Sequence, residues 1–307
     1  MRSVLVACAL TSQLVAARFF WPDITHIFSF GDSYTDTIAR FDFTTHALSA
    51  PNDAATTAGG RMWIEFLAQT YNVTADLKVF NFAYGGAVTD SSLIAQSSSA
   101  TQSFKDQVNN FLLLQSTPAA QGWKSSNALF LSFFGINDVG KSFWWTNATR
   151  EETNARVIAS YFERLTILRD AGARNFLLLQ VPDISRTPNL IRQGAPNATL
   201  QSSMSENYNT QLARAVQVFQ RHSTRVGKVV DVKIHPTREL FNFALDNAGV
   251  LGFENVTAGW WTGLAPEQQS GVSLATYFWW NNFHPTWGVH DLLGHSVSTF
   301  LSRWSGL

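Results

Sequence analysis

Five short apolar runs recur along the chain, at positions 26–30, 78–82, 128–134, 175–181 and 228–234. None alternates strictly between apolar and polar residues, the mark of a strand covered on one face only. Runs without that alternation fit strands buried on both sides. Between them lie segments whose apolar residues return at helical spacing, at 61–71, 104–115, 151–171, 203–225 and 238–248. In the clearest, 151–171, Val157, Ile158, Tyr161, Phe162, Leu165 and Leu168 fall on one face at intervals of three and four. Gly172 follows, where a helix commonly stops. Strands alternating with helices predict an α/β fold, a mostly parallel five-stranded sheet with helices on both faces. In such sheets the ligand site lies beyond the carboxyl ends of the strands. Stretches 49–58 and 91–101, rich in Ser, Ala and Thr, read as surface insertions. One domain is expected, from residue 18 to residue 307.

The first seventeen residues read differently. Arg2 supplies a positive start, 4–10 is an apolar run too short to span a bilayer, and Val15-Ala16-Ala17 offers small residues for cleavage. Residues 1–17 are therefore expected to be a secretory signal peptide. Cys8, the one cysteine of the 307 residues, lies within it. A mature chain without cysteine excludes disulfides, thiolate catalysis and Cys-based zinc sites. The 22 basic residues balance the 22 acidic ones, which gives no electrostatic reason to hold nucleic acid. No later stretch is long and apolar enough for a membrane span. Asn-x-Thr sequons stand at Asn72, Asn147, Asn197 and Asn255. Together with the leader they predict a secreted, extracellular glycoprotein, expected to be a monomer.

The polar blocks at the strand ends carry the chemistry. Phe30-Gly31-Asp32-Ser33-Tyr34 follows the first run, and Asn81-Phe82-Ala83-Tyr84-Gly85-Gly86-Ala87 closes the second. Gly135-Ile136-Asn137-Asp138 follows the third, and Asn281-Asn282-Phe283-His284-Pro285 lies near the C-terminus. Ester hydrolysis needs a hydroxyl nucleophile, a base within hydrogen-bond reach and donors aimed at the developing oxyanion. Ser33, expected at a strand-to-helix turn, offers the hydroxyl, and His284 the neutral-range base. A glycine offers an unobstructed backbone N–H, and the Asn137 side chain offers a further donor. Each block alone has a plain structural reading: Ser33 as a helix cap, Gly-x-Asn-Asp as a turn, His284 as a structural residue. Four in order, three of them at strand ends, are far more specific.

These blocks resemble those of the GDSL esterases in the SGNH hydrolase superfamily, named for Ser, Gly, Asn and His. The matching residues are Ser33, Gly85 or Gly86, Asn137 and His284, with Gly86 preferred for its spacing of five from Asn81. Further matches are Ser-Phe-Lys-Asp-Gln-Val at 103–108, Ala-Gly-Ala-Arg-Asn-Phe at 171–176 and His-Pro-Thr at 284–286. The pattern is most similar to the secreted fungal acetylesterases of carbohydrate esterase family 16. The resemblance implies a flavodoxin-like three-layer α/β/α sandwich. It also implies removal of acetyl groups from short carbohydrates such as xylo-oligosaccharides, with an oxyanion hole of Ser33, Gly86 and Asn137. It implies no metal or organic cofactor.

One position departs from the superfamily. Three residues before the histidine, where Asp is usual, stands Asn281. Three readings follow: Asn281 as a neutral orienter of His284, another carboxylate such as Asp291 in its place, or a weakened protein kept for carbohydrate binding. A lipase or phospholipase with longer-acyl preference would use the same residues. Asp32 and Asp138 are expected to bond turn N–H groups, and Asp36 to sit at a helix N-terminus. His284, His290 and His295 have no recognised metal-ligand spacing, so no metal site is expected. His26, His46, His222 and His235 read as structural or surface residues. Among eleven tryptophans, Trp279, Trp280 and Trp287 flank the histidine in sequence and are candidates for stacking on sugar.

Overall fold

A computed structural model describes residues 19–74, 76–261 and 273–307. The expected leader at 1–17 lies outside the described residues. Five parallel strands form the central sheet: β1 His26–Gly31, β2 Lys78–Asn81, β3 Ala128–Phe133, β4 Asn175–Leu179 and β5 Asp231–His235. Their order is β2-β1-β3-β4-β5, the flavodoxin-like arrangement. Every residue of β1, β3 and β4 is buried, whereas the edge strands β2 and β5 are partly exposed. Burial on both faces explains why the inner runs carry no alternation. Phe28 of β1 is in register with Phe80 of β2 and Phe130 of β3, and its ring packs at 5.3 and 5.1 Å from theirs.

Helices cover both faces. On one side α1 Trp63–Gln69, α7 Thr237–Asp246 and α8 Trp287–Ser305 pack together; on the other, α2 Phe104–Leu114, α4 Arg150–Asp170 and α6 Ala195–Arg225. Ser103 and Asp106 form a capping box at the start of α2, and Thr149 and Glu152 form one at α4. Gly172 ends α4 at φ 119°, a conformation that favours glycine. Two short helices sit above the sheet's carboxyl end, α3 Ile136–Ser142 and α5 Pro188–Gln193.

Several expectations need correction. The strand expected at 228–234 begins later, at Asp231, and the helix expected at 203–225 begins earlier, at Ala195. Pro196 suits that early start, because a first-turn N–H has no helical partner to lose. No helix follows Ser33: the chain turns through 32–35 and reaches its next α-helix only at Trp63. Asp36 therefore caps no helix. The pattern also missed a two-stranded parallel ladder, β6 Asn255–Gly259 with β7 Tyr277–Trp279. Its strands are too short and too mixed in polarity to leave a periodic signal. This ladder carries the histidine loop.

Candidate active site

Ser33 stands just past the carboxyl end of β1, and a tight turn presents it. Asp32 Oδ1 accepts the Tyr34 N–H at 2.9 Å, and the Asp32 carbonyl accepts those of Thr35 and Asp36 at 2.9 Å. Thr57 donates its hydroxyl to the Ser33 carbonyl at 2.9 Å. These bonds hold the backbone on both sides of the serine and leave its side chain free to turn outward.

His284 arrives from the other end of the chain. The Trp279–Pro285 bridge closes its loop, and the Trp280 N–H donates to the His284 carbonyl at 2.7 Å. The Tyr34 hydroxyl donates to the Phe283 carbonyl, tying the serine turn directly to the histidine loop. The result is a contact of 2.8 Å between Ser33 Oγ and His284 Nε2, across 251 residues of sequence.

Asn281 determines how the imidazole is used. Its Oδ1 accepts the Phe283 N–H at 2.9 Å and the His284 N–H at 3.0 Å, and lies 3.0 Å from His284 Nδ1. Two backbone donors can face only the amide oxygen, so the oxygen, not the NH₂, meets the ring. Nδ1 then carries the proton, and Nε2 is left to accept from Ser33. Asn281 thus selects the tautomer an aspartate would select, without the charge. Burial pushes His284 down to about 4, and no adjoining carboxylate opposes that shift. Although enclosed by protein, the ring keeps an edge on the cavity.

Around the serine several N–H groups converge. Asp36 Oδ2 accepts the Gly85 N–H at 2.8 Å, so that donor is occupied. Among the described residues nothing accepts the N–H of Gly86 or of Ser33. Gly86 adopts φ 78°, which favours glycine. Asn137, in the first turn of α3, donates to the Ala87 carbonyl at 3.0 Å, and its amide also acts on the buried Asp32 carboxyl. Ser33, Gly86, Asn137 and His284 all line one cavity of about 500 Å³.

Arg40 clamps Asp36 through both guanidinium nitrogens at 2.8 and 3.1 Å, and Asp36 holds Gly85 and the Ile38 N–H. It fixes the glycine turn. Asp138 binds the Thr89 N–H and hydroxyl, and burial pushes its carboxyl up to about 6. Burial also raises Asp32 to about 7, against the pull of the Tyr34 N–H. Asp291 accepts the Tyr71 hydroxyl at 2.6 Å, so it is not the partner of His284. His295 packs on Tyr71, and His290 is buried with Nδ1 accepting the Trp63 N–H at 3.3 Å. Among the described residues no three His, Cys, Asp or Glu side chains are grouped so as to hold a metal ion.

The tryptophans do not sit where their sequence positions suggest. Trp279 is buried, its indole N–H donating to the Val256 carbonyl at 2.8 Å. Trp280 stacks on Trp260 at 5.1 Å and presses on Gly59, and Trp287 presses on Gly60. None of the three lines the cavity; Trp144, 54% exposed, does. Alongside it Ile136, Phe143, Ile184 and Leu190 supply apolar lining, and Thr57 and Ser97 line the cavity too. The loops read as surface insertions therefore supply cavity walls. Signals for this wall were absent, because its residues come from four separate segments.

A serine hydroxyl bonded to a neutral imidazole, with inward N–H donors at the carboxyl end of a doubly wound sheet, is the machinery of a carboxylic ester hydrolase. The chain belongs to the GDSL-like Lipase/Acylhydrolase family, whose model matches residues 27–297. An acetylesterase of Thermothelomyces thermophilus is 33% identical over 291 residues, 92% of this chain and 88% of that one. An acetylesterase of Hypocrea jecorina is 24% identical over 198 residues, 58% of this chain and 55% of that one. Among solved structures, Axe2, an acetylxylan esterase from Geobacillus stearothermophilus, is 14% identical with a TM-score of 0.46, covering 92% of this chain and 94% of that one.

Proposed function

We propose that this esterase is secreted and removes acetyl groups from short carbohydrates, acetylated xylo-oligosaccharides among them. The observation that carries the proposal is the Ser33–His284–Asn281 relay, 2.8 Å at one joint and 3.0 Å at the other, opening into the cavity. Ser33 Oγ attacks the ester carbonyl carbon while His284 Nε2 takes its proton. The tetrahedral oxyanion is held by the N–H groups of Ser33 and Gly86 and by the Asn137 amide. The C–O bond to the sugar breaks, and His284 returns the proton to the departing sugar oxygen. Water, activated by His284, then attacks the acetyl-enzyme and releases acetate. None of these steps calls on a metal or organic cofactor.

Support for the acetyl part comes from the two acetylesterase relatives. Secretion rests on the leader at 1–17 and the four sequons, whose asparagines all avoid full burial. No described helix is long and apolar enough to cross a membrane. A second reading has its own observation. About 500 Å³ is roughly three times the space that holds one benzene, and the apolar lining would suit a longer acyl chain.

The deciding experiment uses 4-nitrophenyl esters from acetyl to palmitoyl, and acetylated xylo-oligosaccharide, with the mature chain and Ser33→Ala. Acetyl-biased turnover that drops by at least about 10³-fold in the variant is expected. Preference for long chains would move the reading to a lipase. Equal, negligible rates from folded wild type and variant would overturn the serine mechanism.

A further inference from the structure

The cavity and an adjoining hollow share a wall and a positive charge. The hollow, about 510 Å³, is lined by Arg192, Trp261, Asn281 and Asn282 among others, and shares Phe283 with the cavity. Among the described residues the two linings hold two basic side chains, Lys141 and Arg192, and no Asp or Glu. Yet the whole chain has equal numbers of acidic and basic residues. Elsewhere Arg40, Arg169, Arg186, Arg238 and Lys228 all pair with carboxylates. Lys141 instead donates to neutral oxygens, Ser97 Oγ at 3.0 Å and the Ala95 carbonyl at 3.3 Å. Arg192 likewise donates to the Asn282 amide oxygen at 2.8 Å. The carboxylate one turn back from Lys141, Asp138, is buried and bonded to Thr89, outside ion-pair distance of the ammonium.

We propose that the preferred substrate is an acetylated oligosaccharide bearing a carboxylate, as on a uronic acid residue, and that Lys141 is the residue that reads it. The inference rests on the sugar-esterase reading above and sharpens its substrate class. Lys141 is half-buried at the cavity wall, so part of its hydration is gone. Two of its three N–H donors are taken by neutral acceptors, and Asp138, the carboxylate whose field it feels, makes no ion pair with it. A charge so placed gains most from an anion that arrives with the substrate. Arg192, across Phe283, extends the positive field towards the hollow and steers the same ligand. The Lys141 bonds to Ala95 and Ser97 also hold the cavity loop in place, so substrate charge and loop position meet at one side chain.

The test measures kcat/KM on two acetylated xylo-oligosaccharides of equal length, one neutral and one carrying a uronic acid branch. Wild type should favour the acidic substrate by about tenfold, the size of one charge-assisted contact. Lys141→Met should bring the ratio close to one, and Lys141→Arg should restore most of it. Salt at about 0.5 M should shrink the wild-type ratio. A wild-type ratio at or below one overturns the proposal, as does a Lys141→Met ratio equal to wild type. Absence of Ser33-dependent turnover on both sugars overturns the sugar-esterase reading itself and this inference with it. Equal turnover of both overturns the inference alone. Circular dichroism of each variant, with its 4-nitrophenyl acetate rate, separates loss of folding from loss of selectivity.

Discussion

Replacing Asn281 by Asp puts a negative charge where the structure has a neutral amide and changes little else. The carboxylate would accept the same two backbone N–H groups, at 2.9 and 3.0 Å, and the same ring N–H at 3.0 Å. At that distance and an effective dielectric near 20, the attraction to an imidazolium is about 5 kcal/mol, an upper figure. The new carboxylate loses hydration and the ring keeps an open edge, so the expected rise in the His284 pKa is about 1–3 units. His284 begins near 4, held down by burial. Only the neutral ring can accept the Ser33 proton, so a raised pKa costs activity on the acid side. The acid limb of kcat/KM for 4-nitrophenyl acetate should therefore move from near pH 4 in wild type to between about 5 and 7 in Asn281→Asp. Above the limb the plateau should rise by about tenfold or more, because the charge stabilises the imidazolium formed in the transition state. The reverse exchange in serine proteases costs about 10⁴ because the amide can favour the wrong tautomer. Here both residues hold the right tautomer, and charge alone differs. A limb that stays within about 0.3 units of wild type would refute the assignment of Asn281 as partner of the ring.

Asn137→Ala should lower kcat by about 10²–10³ with little change in KM, read from steady-state kinetics with folding checked by circular dichroism. Gly86→Ala has room for its Cβ, with Thr101 Oγ1 the nearest atom at 4.0 Å, but not the φ of 78°; it should cost about 1–2 kcal/mol of stability and displace the N–H, cutting kcat by about 10². Asp36→Ala unties Gly85 and leaves Arg40 without its partner; denaturant unfolding should show a loss of about 2 kcal/mol, with reduced kcat as the glycine turn loosens. Burial holds His235 near 4, below its ordinary 6.5, so its contribution to stability is full above pH 6.5 and is lost as pH falls towards 4; Asp32 and Asp138, raised to about 7 and about 6, act oppositely in that window. His235→Gln should therefore flatten the acid-side fall of Tm, and an unchanged slope would count against the burial argument.

Much of the fold could be read from the chain because its signals are local. The inner strands carry continuous apolar runs, α4 carries a one-faced stripe ended by Gly172, and each is set by residues within a few positions. Ser33 and Asn137, the proposed nucleophile and oxyanion donor, could be singled out for a related reason: short polar blocks interrupt the apolar pattern at strand ends, where backbone groups turn outward. What was not legible depends on contacts far apart in sequence. The cavity wall assembles Thr57, Ser97, Phe143, Ile184 and Leu190, and no spacing rule links them. Trp279, Trp280 and Trp287 lie beside His284 in sequence, but the β6–β7 ladder and the glycines at 59 and 60 draw their rings away from the cavity. Asp36 looked like a helix-capping acid because the turn after Ser33 resembles a helix start. Of its real partners, Arg40 lies only four residues along the chain, and Gly85 becomes visible only when β2 lies beside β1.

Asn281 shows where sequence reasoning stops for a physical reason. An amide has an accepting end and a donating end of nearly equal shape, and the one-letter code does not say which faces the ring. The answer lies in the backbone of the following residues: the N–H groups of Phe283 and His284 point back at the same atom, and only oxygen can accept them. The loop must be tight for this, and its tightness comes from the Trp280–His284 bond and from Tyr34 reaching across to Phe283. Tyr34 is thereby a positioning residue for both halves of the relay, since its own N–H is held by Asp32 beside the nucleophile. Tyr34→Phe removes one hydroxyl and keeps the ring. If the loop holds the amide, this variant should lose kcat by about tenfold and change KM little. In Asn281→Asp, whose carboxylate needs no orientation, the same change should cost less. Equal losses in the two backgrounds would show that Tyr34 acts on stability alone and that the amide is held by its own loop.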